Sequence, residues 1–465
     1  MGNEKPFNVE GFFCSLSLLF LWKFVYDYLG KRNRRYRREQ MAQFTKDWST
    51  KMKGYNLNIR LFLLASFMLN VGMGIFMVIY NYYIRELGYA DDVNGRVIAM
   101  QATATAIALL PVGLLSDRLG RKRLILIGSV VVAASLVLRS IGVAEDLLIL
   151  GAFITGFFMA FVQVTSIPLL AENSKESERV HLFSLNAAMM MAANVIGNLL
   201  GGVLTDSLHT WFGISMLESV RITLLIGVTI VCFGLIPLFK IKEKRKVTTF
   251  SAGRLSGFKQ LAEKKDSLKL IVLFALASLL IGFGSGLVIP YLNLYFTDRF
   301  DVSYSLVGII LALGQGMTAV AMMIGPSVVK RFGEVKAVVL LQIGSLPFLL
   351  LSAYTEILWL AVIGFLFRQA LMNAGNPIHS ALMMRLVDPS MRGLANSLGQ
   401  MVFQLGWAIM GPVSMGIVLM YGSYTGYAIV FTITACLYLI GSVYFYFVFG
   451  RKQKDIPAPL VVEKS

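Results

Sequence analysis

Charged residues, cysteines and histidines are all scarce in this chain. Of its 465 residues only 15% are Asp, Glu, Lys or Arg, while 56% are hydrophobic. The three cysteines and three histidines are isolated, which excludes a disulfide framework and leaves no metal-ligand spacing. No Walker motif or nucleophile elbow is present. We therefore expect no enzymatic activity, no metal and no cofactor.

The chain has long apolar runs instead. From Leu57 onward, twelve runs reach the length of about 20 residues that crosses a bilayer. Their rough bounds are Leu57–Tyr83, Val97–Leu115, Leu124–Val143, Leu147–Leu170, Leu182–Leu204, Val220–Leu238, Leu268–Phe296, Leu306–Val329, Val338–Ala353, Leu358–Leu382, Leu394–Met420 and Tyr427–Phe449. The ninth run is short, and we expect its helix to extend beyond these bounds. The sequence thus predicts an all-α membrane protein with twelve spanning helices.

The net charge of +17 is concentrated between these runs. Every second loop is rich in Lys and Arg, and the stretch 240–269 is the longest and most basic of them. The positive-inside rule places such loops in the cytoplasm, together with both ends of the helical core. The surplus charge therefore indicates membrane orientation and contact with anionic lipids, and no nucleic-acid partner is expected.

Residues 1–53 differ from the rest of the chain. An apolar stretch, 12–29, is interrupted by Lys23 and Asp27, and the basic run 31–38 follows it. Three interpretations remain open: an interfacial helix held by the basic run, an extra spanning helix, or a segment upstream of a true start at Met41 or Met52.

A short charged segment joins the second and third apolar runs. It reads Gly-Leu-Leu-Ser-Asp-Arg-Leu-Gly-Arg-Lys-Arg from residue 113 to 123, and it closely resembles the signature loop of the major facilitator superfamily of transporters. The positions that match are Gly113, Asp117, Arg118, Gly120, Arg121 and Lys122. An ordinary positive-inside loop would not explain the acidic residue in this segment.

The second half of the chain repeats features of the first. The spacing from Gly74 to Asn81 equals that from Gly286 to Asn293. A weaker copy of the charged segment follows the eighth run, and its key residues are Gly325, Lys330, Arg331 and Gly333. Internal duplication of this kind is typical of transporters built from repeats.

The resemblance and the duplication together define the expected architecture. The superfamily fold consists of two six-helix bundles with a pseudo-twofold axis along the membrane normal. The boundaries that we expect are an N-terminal extension at 1–53, a first bundle at 54–239, a cytoplasmic basic linker at 240–267, a second bundle at 268–450 and a cytoplasmic tail at 451–465.

The resemblance also implies a gate. In the family pattern Asp117 faces the start of the eleventh helix, near Arg392 to Ala395. A carboxylate there meets the positive end of a helix dipole, a contact worth about 0.3–1 kcal/mol when exposed. This contact exists only while the cytoplasmic side is closed. The second copy has Lys330 at the aligned position, so the latch belongs to one half only.

Polar side chains inside the apolar runs are candidates for a central substrate cavity. Arg368 stands near the middle of the tenth run, where a charge costs at least about 2.5 kcal/mol and needs a partner. It either attracts an anionic group of a substrate or is bound structurally within the protein. The amides considered with it are Asn81, Asn293, Gln163, Gln315, Asn373 and Asn376. Each of these amides also has a simpler interpretation as an interhelical contact.

Acidic residues are missing from the middle of every apolar run. The nearest carboxylates lie toward the ends, at Glu86, Asp206 and Glu218 on one side and Glu172 and Asp117 on the other. A proton carrier needs a group that changes charge inside the pathway, which argues against simple proton antiport. The antiporter pattern of the family also departs here, with Gly197-Asn198 in place of Gly-Pro and no arginine near Ala152.

We expect a secondary transporter that works by alternating access and exports a small amphipathic or hydrophobic organic compound. Exchange or import of an organic anion bound by Arg368 is the second interpretation, and a non-transporting membrane receptor or sensor is the third. The expected partners are a small-molecule substrate, a coupling ion such as a proton, and lipids. The protein is expected to act as a monomer in the cell membrane, inner or plasma.

Overall fold

The structure is a computed structural model that describes residues 54–242 and 265–450. The N-terminal extension 1–53, residues 243–264 of the linker and the tail 451–465 lie outside the described residues. The three interpretations of the extension therefore remain predictions.

The described residues form helices joined by short connections. The first six are α1 (Leu57–Glu86), α2 (Asp91–Leu119), α3 (Arg121–Ile141), α4 (Glu145–Glu172), α5 (Arg179–Phe212) and α6 (Met216–Lys240). After the linker come α7 (Lys265–Phe300), α8 (Tyr304–Phe332), α9 (Glu334–Tyr354), α10 (Leu358–Leu386) and a helical stretch Arg392–Phe449. The ninth helix extends at both ends beyond the run from which it was predicted, as expected.

The last helical stretch contains two spanning helices. Gly422 interrupts it with φ 76° and ψ 173°, a conformation outside the helical region that glycine adopts without steric cost. We name residues 392–421 α11 and residues 423–449 α12. With this division the described residues contain the twelve spanning helices that the apolar runs predicted.

The described chain divides into two compact units. The first contains residues 54–88, 112–242 and 302–316, and the second contains residues 89–111, 265–301 and 317–450. Two helices are therefore shared between units. The start of α2 belongs to the second unit and its end to the first, whereas the start of α8 belongs to the first and its end to the second.

In the first unit, α1 is the central helix and packs on α5 and α6. Glycines permit this packing because a side chain would meet backbone. A Cβ atom on Gly74 would lie 3.1 Å from the Cα of Gly197 on α5, and one on Gly72 would lie 2.7 Å from the carbonyl oxygen of Gly227 on α6. Close approach through small residues is how helices associate without water.

The second unit repeats this arrangement around α7, which packs on α11 and α12. A Cβ atom on Gly286 would lie 2.8 Å from the Cα of Trp407 on α11. One on Gly284 would lie 2.5 Å from the ring of Tyr438 on α12. The two glycine pairs that the sequence repeats therefore serve the same packing in both halves.

A tyrosine near the end of each central helix is also repeated. The hydroxyl of Tyr83 on α1 donates to the carbonyl oxygen of Gly142 at 3.0 Å, just after α3. The hydroxyl of Tyr295 on α7 donates to the carbonyl oxygen of Ser352 at 2.6 Å, near the end of α9. Each bond fixes the central helix to the third helix of its half.

Candidate functional site

The signature segment forms a tight connection between α2 and α3. Gly120 has φ 90° and ψ 139°, a left-handed conformation that favours glycine, and α3 begins at the next residue. The guanidinium of Arg121 contacts the carboxylate of Glu172 at 2.7 Å, which joins the start of α3 to the end of α4. Lys122 donates to the carbonyl oxygen of Phe239 at 3.4 Å, near the end of α6.

Gly113, Asp117 and Arg118 all lie in the last turns of α2. The side chains of Asp117 and Arg118 lie outside what the structure describes. The contact between Asp117 and the start of α11 therefore stays a prediction.

The second copy of the segment has the same geometry with the charges exchanged. Gly333 has φ 78° and precedes α9. The carboxylate of Glu334, the first residue of α9, contacts the guanidinium of Arg385 near the end of α10 at 2.6 Å. Lys330 and Arg331, which we expected to form the copy, are exposed, and Gly325 is buried in α8.

Sequence reasoning missed this ion pair, although it named Gly333. An acidic residue that begins one helix directly after a turn glycine, together with a basic residue near the end of the following helix, is a pattern that could have identified this pair. Arg121 and Glu172 are arranged in the same way with opposite signs.

Arg368 is buried in the second unit, with 3% of its surface exposed. One terminal nitrogen of its guanidinium donates to the side-chain oxygen of Gln369 at 3.0 Å, and the other donates to the hydroxyl of Tyr438 at 3.3 Å. Its Nε atom is buried and has no hydrogen-bond partner within residues 54–242 and 265–450. The partners that a charge at this depth requires are supplied here by Gln369 of the same helix and by Tyr438 of α12.

The candidate amides occupy different environments. Asn81 and Asn293 are both buried, the first in the first unit and the second in the second unit. Gln163 is exposed on α4, and Gln315 is half-buried on α8. Asn376, which is exposed, donates to the side-chain oxygen of Asn373 at 3.2 Å. Asn373 and Asn376 are thus brought together, and whether these amides contact a substrate remains a prediction.

Sequence reasoning missed a second buried arginine, Arg139 on α3, with 5% of its surface exposed. Its guanidinium carbon lies 3.9 Å from the centre of the Tyr80 ring, so the cation rests against an aromatic ring of α1. A Cβ atom on Gly151 of α4 would lie 2.6 Å from Cγ of Arg139. The signal was present in the sequence, since a cation inside the third apolar run is uncommon, but Arg139 stands near the end of that run.

A sequence model of the Major Facilitator Superfamily matches residues 62–274 and 274–464. The chain belongs to the major facilitator superfamily. The resemblance predicted from the segment 113–123 is confirmed, and the match covers both halves of the chain.

Two relatives of known sequence match more than half of this chain. An uncharacterized MFS-type transporter, MJ1560, of Methanocaldococcus jannaschii is 26% identical over 308 residues, which is 65% of this chain and 76% of the relative. The quinolone resistance protein NorA of Staphylococcus aureus is 23% identical over 256 residues, which is 54% of this chain and 61% of NorA.

Solved structures show the fold. The nucleoside transporter NupG has a TM-score of 0.67 at 18% identity, over 85% of this chain and 99% of NupG. A bacterial homolog of the human lysosomal transporter Spinster has a TM-score of 0.69 at 14% identity, over 86% and 98%. A D-xylose–proton symporter has a TM-score of 0.66 at 15% identity, over 83% and 96%. The chain therefore has the major facilitator fold, and similarity at this level says nothing more about its substrate.

Proposed function

We propose that this member of the superfamily is a secondary active transporter that works by alternating access and exports a small amphipathic or hydrophobic organic compound. Family membership supports transport rather than catalysis. The observation that carries the direction and substrate class is the similarity to NorA, whose name describes quinolone resistance. NorA is matched over 61% of its length, so its activity comes to this chain only as a proposal.

We also propose an orientation, a membrane and a coupling ion for this protein. The basic loops support a cytoplasmic location for the ends of the core and for the signature segment. We place the protein in the cell membrane as a monomer in contact with anionic lipids, with a proton as the coupling ion to test first. The absence of carboxylates from the middle of the apolar runs makes that ion the least supported part of the proposal.

The purified protein is reconstituted into lipid vesicles. Uptake is then measured through the molecules whose cytoplasmic side faces the outside of the vesicle. A fluoroquinolone and ethidium serve as probes, with and without an imposed proton gradient. Uptake that depends on the gradient would support export coupled to protons. Absence of uptake for both probes under every imposed ion gradient would contradict the proposed substrate class.

The predicted latch is tested in the same vesicles with Asp117→Asn. This change removes the charge that would meet the helix dipole, and we expect the maximal rate to fall about two- to fivefold, as a contact of about 0.3–1 kcal/mol implies. Glu176→Gln is the matched control because Glu176 is exposed in the connection before α5. Equal rates for Asp117→Asn and the unaltered protein would remove the latch from the mechanism.

A second candidate function is exchange or import of an organic anion. The buried Nε atom of Arg368, which has no partner in the described part of the chain, favours it. The two terminal nitrogens, which bond Gln369 and Tyr438, favour a structural role instead. Arg368→Met removes the positive charge, so it should abolish uptake of a carboxylate probe if the anion is bound here, while efflux of ethidium should persist.

A non-transporting receptor is the remaining interpretation. A thermal-shift screen against metabolites, lipids and drugs at several pH values separates it from transport. Binding that raises the melting temperature, without flux of the same compound in vesicles, would support the receptor.

A further inference from the structure

The start of α8 contacts α1 and α5, and these contacts place it in the first unit. Residues 302–316 cluster with the first unit, whereas the rest of the same helix, from residue 317, clusters with the second. In the alternating access proposed above, a helix divided in this way either loses the contacts at its start or bends.

Glycines bring the backbones of α5 and α8 into contact at this point. A Cβ atom on Gly202 would lie 2.2 Å from the carbonyl oxygen of Tyr304, and one on Gly308 would lie 2.5 Å from the carbonyl oxygen of Asn198. The hydroxyl of Ser305 also donates to the carbonyl oxygen of Gly202, at 3.4 Å. Two glycines on opposite sides of the crossing therefore permit direct backbone approach.

A carboxylate completes the crossing. Asp206, one turn after Gly202 on α5, accepts a hydrogen bond from the backbone nitrogen of Ser305 at 2.6 Å. The first N–H groups of a helix have no partner within the helix and carry the positive end of its dipole. Asp206 therefore caps α8 from another helix.

Tyr304, the first residue of α8, adds contacts to α1. Its ring stacks on that of Tyr82, with 3.9 Å between ring centres and 8° between ring planes. Its hydroxyl donates to the carboxylate of Glu86 at 3.1 Å. One turn of α8 thus contacts both α1 and α5 through polar and aromatic groups.

The second unit contains the related crossing of α2 on α11, where a leucine stands at the place that Asp206 takes in the first. A Cβ atom on Gly95 would lie 3.0 Å from the Cα of Pro412. Gly95 and Gly308 stand at the same place, one turn into their helices. Counted from the first residues of α5 and α11, Leu419 occupies the position of Asp206, and it cannot cap a helix.

We propose that Asp206 is a positioning residue that clasps the start of α8, and that this clasp opens and closes once in each transport cycle. The inference rests on the proposed function. Asp206 lies toward the end of α5, and the signature segment leads from α2 into α3 at the opposite end of the helices. Asp206 is therefore the outer counterpart of the latch predicted for Asp117, with one carboxylate and one helix terminus at each mouth.

The first experiment compares Asp206→Ala with Asp206→Asn. Asparagine keeps an oxygen that accepts the Ser305 N–H but loses the charge, whereas alanine removes both. We expect the maximal rate of probe efflux to fall about tenfold in Asp206→Ala and about threefold in Asp206→Asn, with KM unchanged. Asp146→Ala, in the exposed first turn of α4, is the control and should transport normally.

A labelling experiment tests the clasp without measuring transport. Ser305→Cys keeps the backbone N–H that Asp206 accepts, and it is placed in a variant without the native cysteines. A membrane-impermeant maleimide should label the introduced thiol about fivefold faster when Asp206→Ala is added, and at the original rate when Asp146→Ala is added. Equal labelling in all variants would overturn the proposal.

A cross-link covers the case in which Asp206→Ala does not fold. The double substitution Asp206→Cys and Ser305→Cys should form a disulfide that stops transport until reductant is added. Transport that continues with the disulfide formed would contradict the clasp. If neither probe is transported even by the unaltered protein, the proposed substrate class fails, and the labelling experiment still decides whether the clasp exists.

Discussion

Arg139 in the first half and Arg368 in the second half are both buried, but they occupy different positions in the repeat. When the first residues of matching helices are aligned, Ser352 stands where Arg139 would be and Thr155 stands where Arg368 would be. Both halves have a glycine next to this position of the third helix. Gly151 on α4 faces Arg139, and Gly364, at the equivalent place on α10, faces Ser352. The places of the glycines are repeated, whereas the charges are not.

The helix-end ion pairs show the same division. Gly120 and Gly333 adopt similar left-handed conformations, and each is followed by one member of an ion pair. Arg121 pairs with Glu172 in the first half, and Glu334 pairs with Arg385 in the second. The fold fixes the geometry of the turn. The charge after the glycine can be positive or negative, provided that its partner at the end of the following helix carries the opposite charge.

The largest expected effect comes from the contacts that both halves share. A Cβ atom on Gly406 would lie 2.4 Å from the carbonyl carbon of Gly282, and one on Gly197 would lie 2.4 Å from the carbonyl oxygen of Val71. Gly406→Val and Gly197→Val each place a whole side chain in such a position. Backbone cannot yield as a side chain can, so we expect both variants to lose monodisperse protein in size-exclusion chromatography.

Gly416→Val is the matched control for these glycines. A Cβ atom on Gly416 of α11 would meet nothing within 4 Å, so this variant should be obtained in normal yield. Normal yield of Gly406→Val would show that the crossing of α7 and α11 is less constrained than its backbone distances indicate.

The two buried arginines should have coupling energies of different size. In a double-mutant cycle with Arg368→Met and Tyr438→Phe, we expect a coupling of about 1.5–3 kcal/mol, because the hydrogen bond involves a charged donor. A cycle with Arg139→Met and Tyr80→Leu should give about 0.5–2 kcal/mol, which is typical of a cation over an aromatic ring. Denaturant unfolding in detergent measures both.

A zero coupling between Arg368 and Tyr438 would contradict the structural role of that pair. It would also leave the Arg368 guanidinium available for a substrate, which strengthens the organic-anion alternative.

The smallest effect is expected at the helix-end ion pairs. Arg121→Glu or Glu172→Arg alone should lower the free energy of unfolding by about 0.2–1 kcal/mol, because both side chains are partly exposed. The double exchange should restore it by recreating the arrangement of Glu334 and Arg385. The effect should shrink at high ionic strength, and a double variant less stable than either single one would refute the equivalence of the two turns.

Part of the candidate site was predictable from the sequence for definite physical reasons. A charge at the depth of Arg368 requires a partner, so its burial and bonding were expected, but Tyr438 lies 70 residues away and could not be identified. The partnership of Asp206 with Ser305 was equally hidden. Nothing along the chain relates the end of α5 to the start of α8.

The sequence by itself determined the number of spanning helices, their charged connections and the internal repeat, because apolar length and local charge are properties of contiguous residues. Only the tertiary structure decided which polar groups meet: Arg139 with Tyr80, Arg368 with Tyr438, Glu334 with Arg385, and Asp206 with the first turn of α8. In an apolar medium each such group must find a partner on another helix, and that choice depends on helix packing, which glycines set at the crossings.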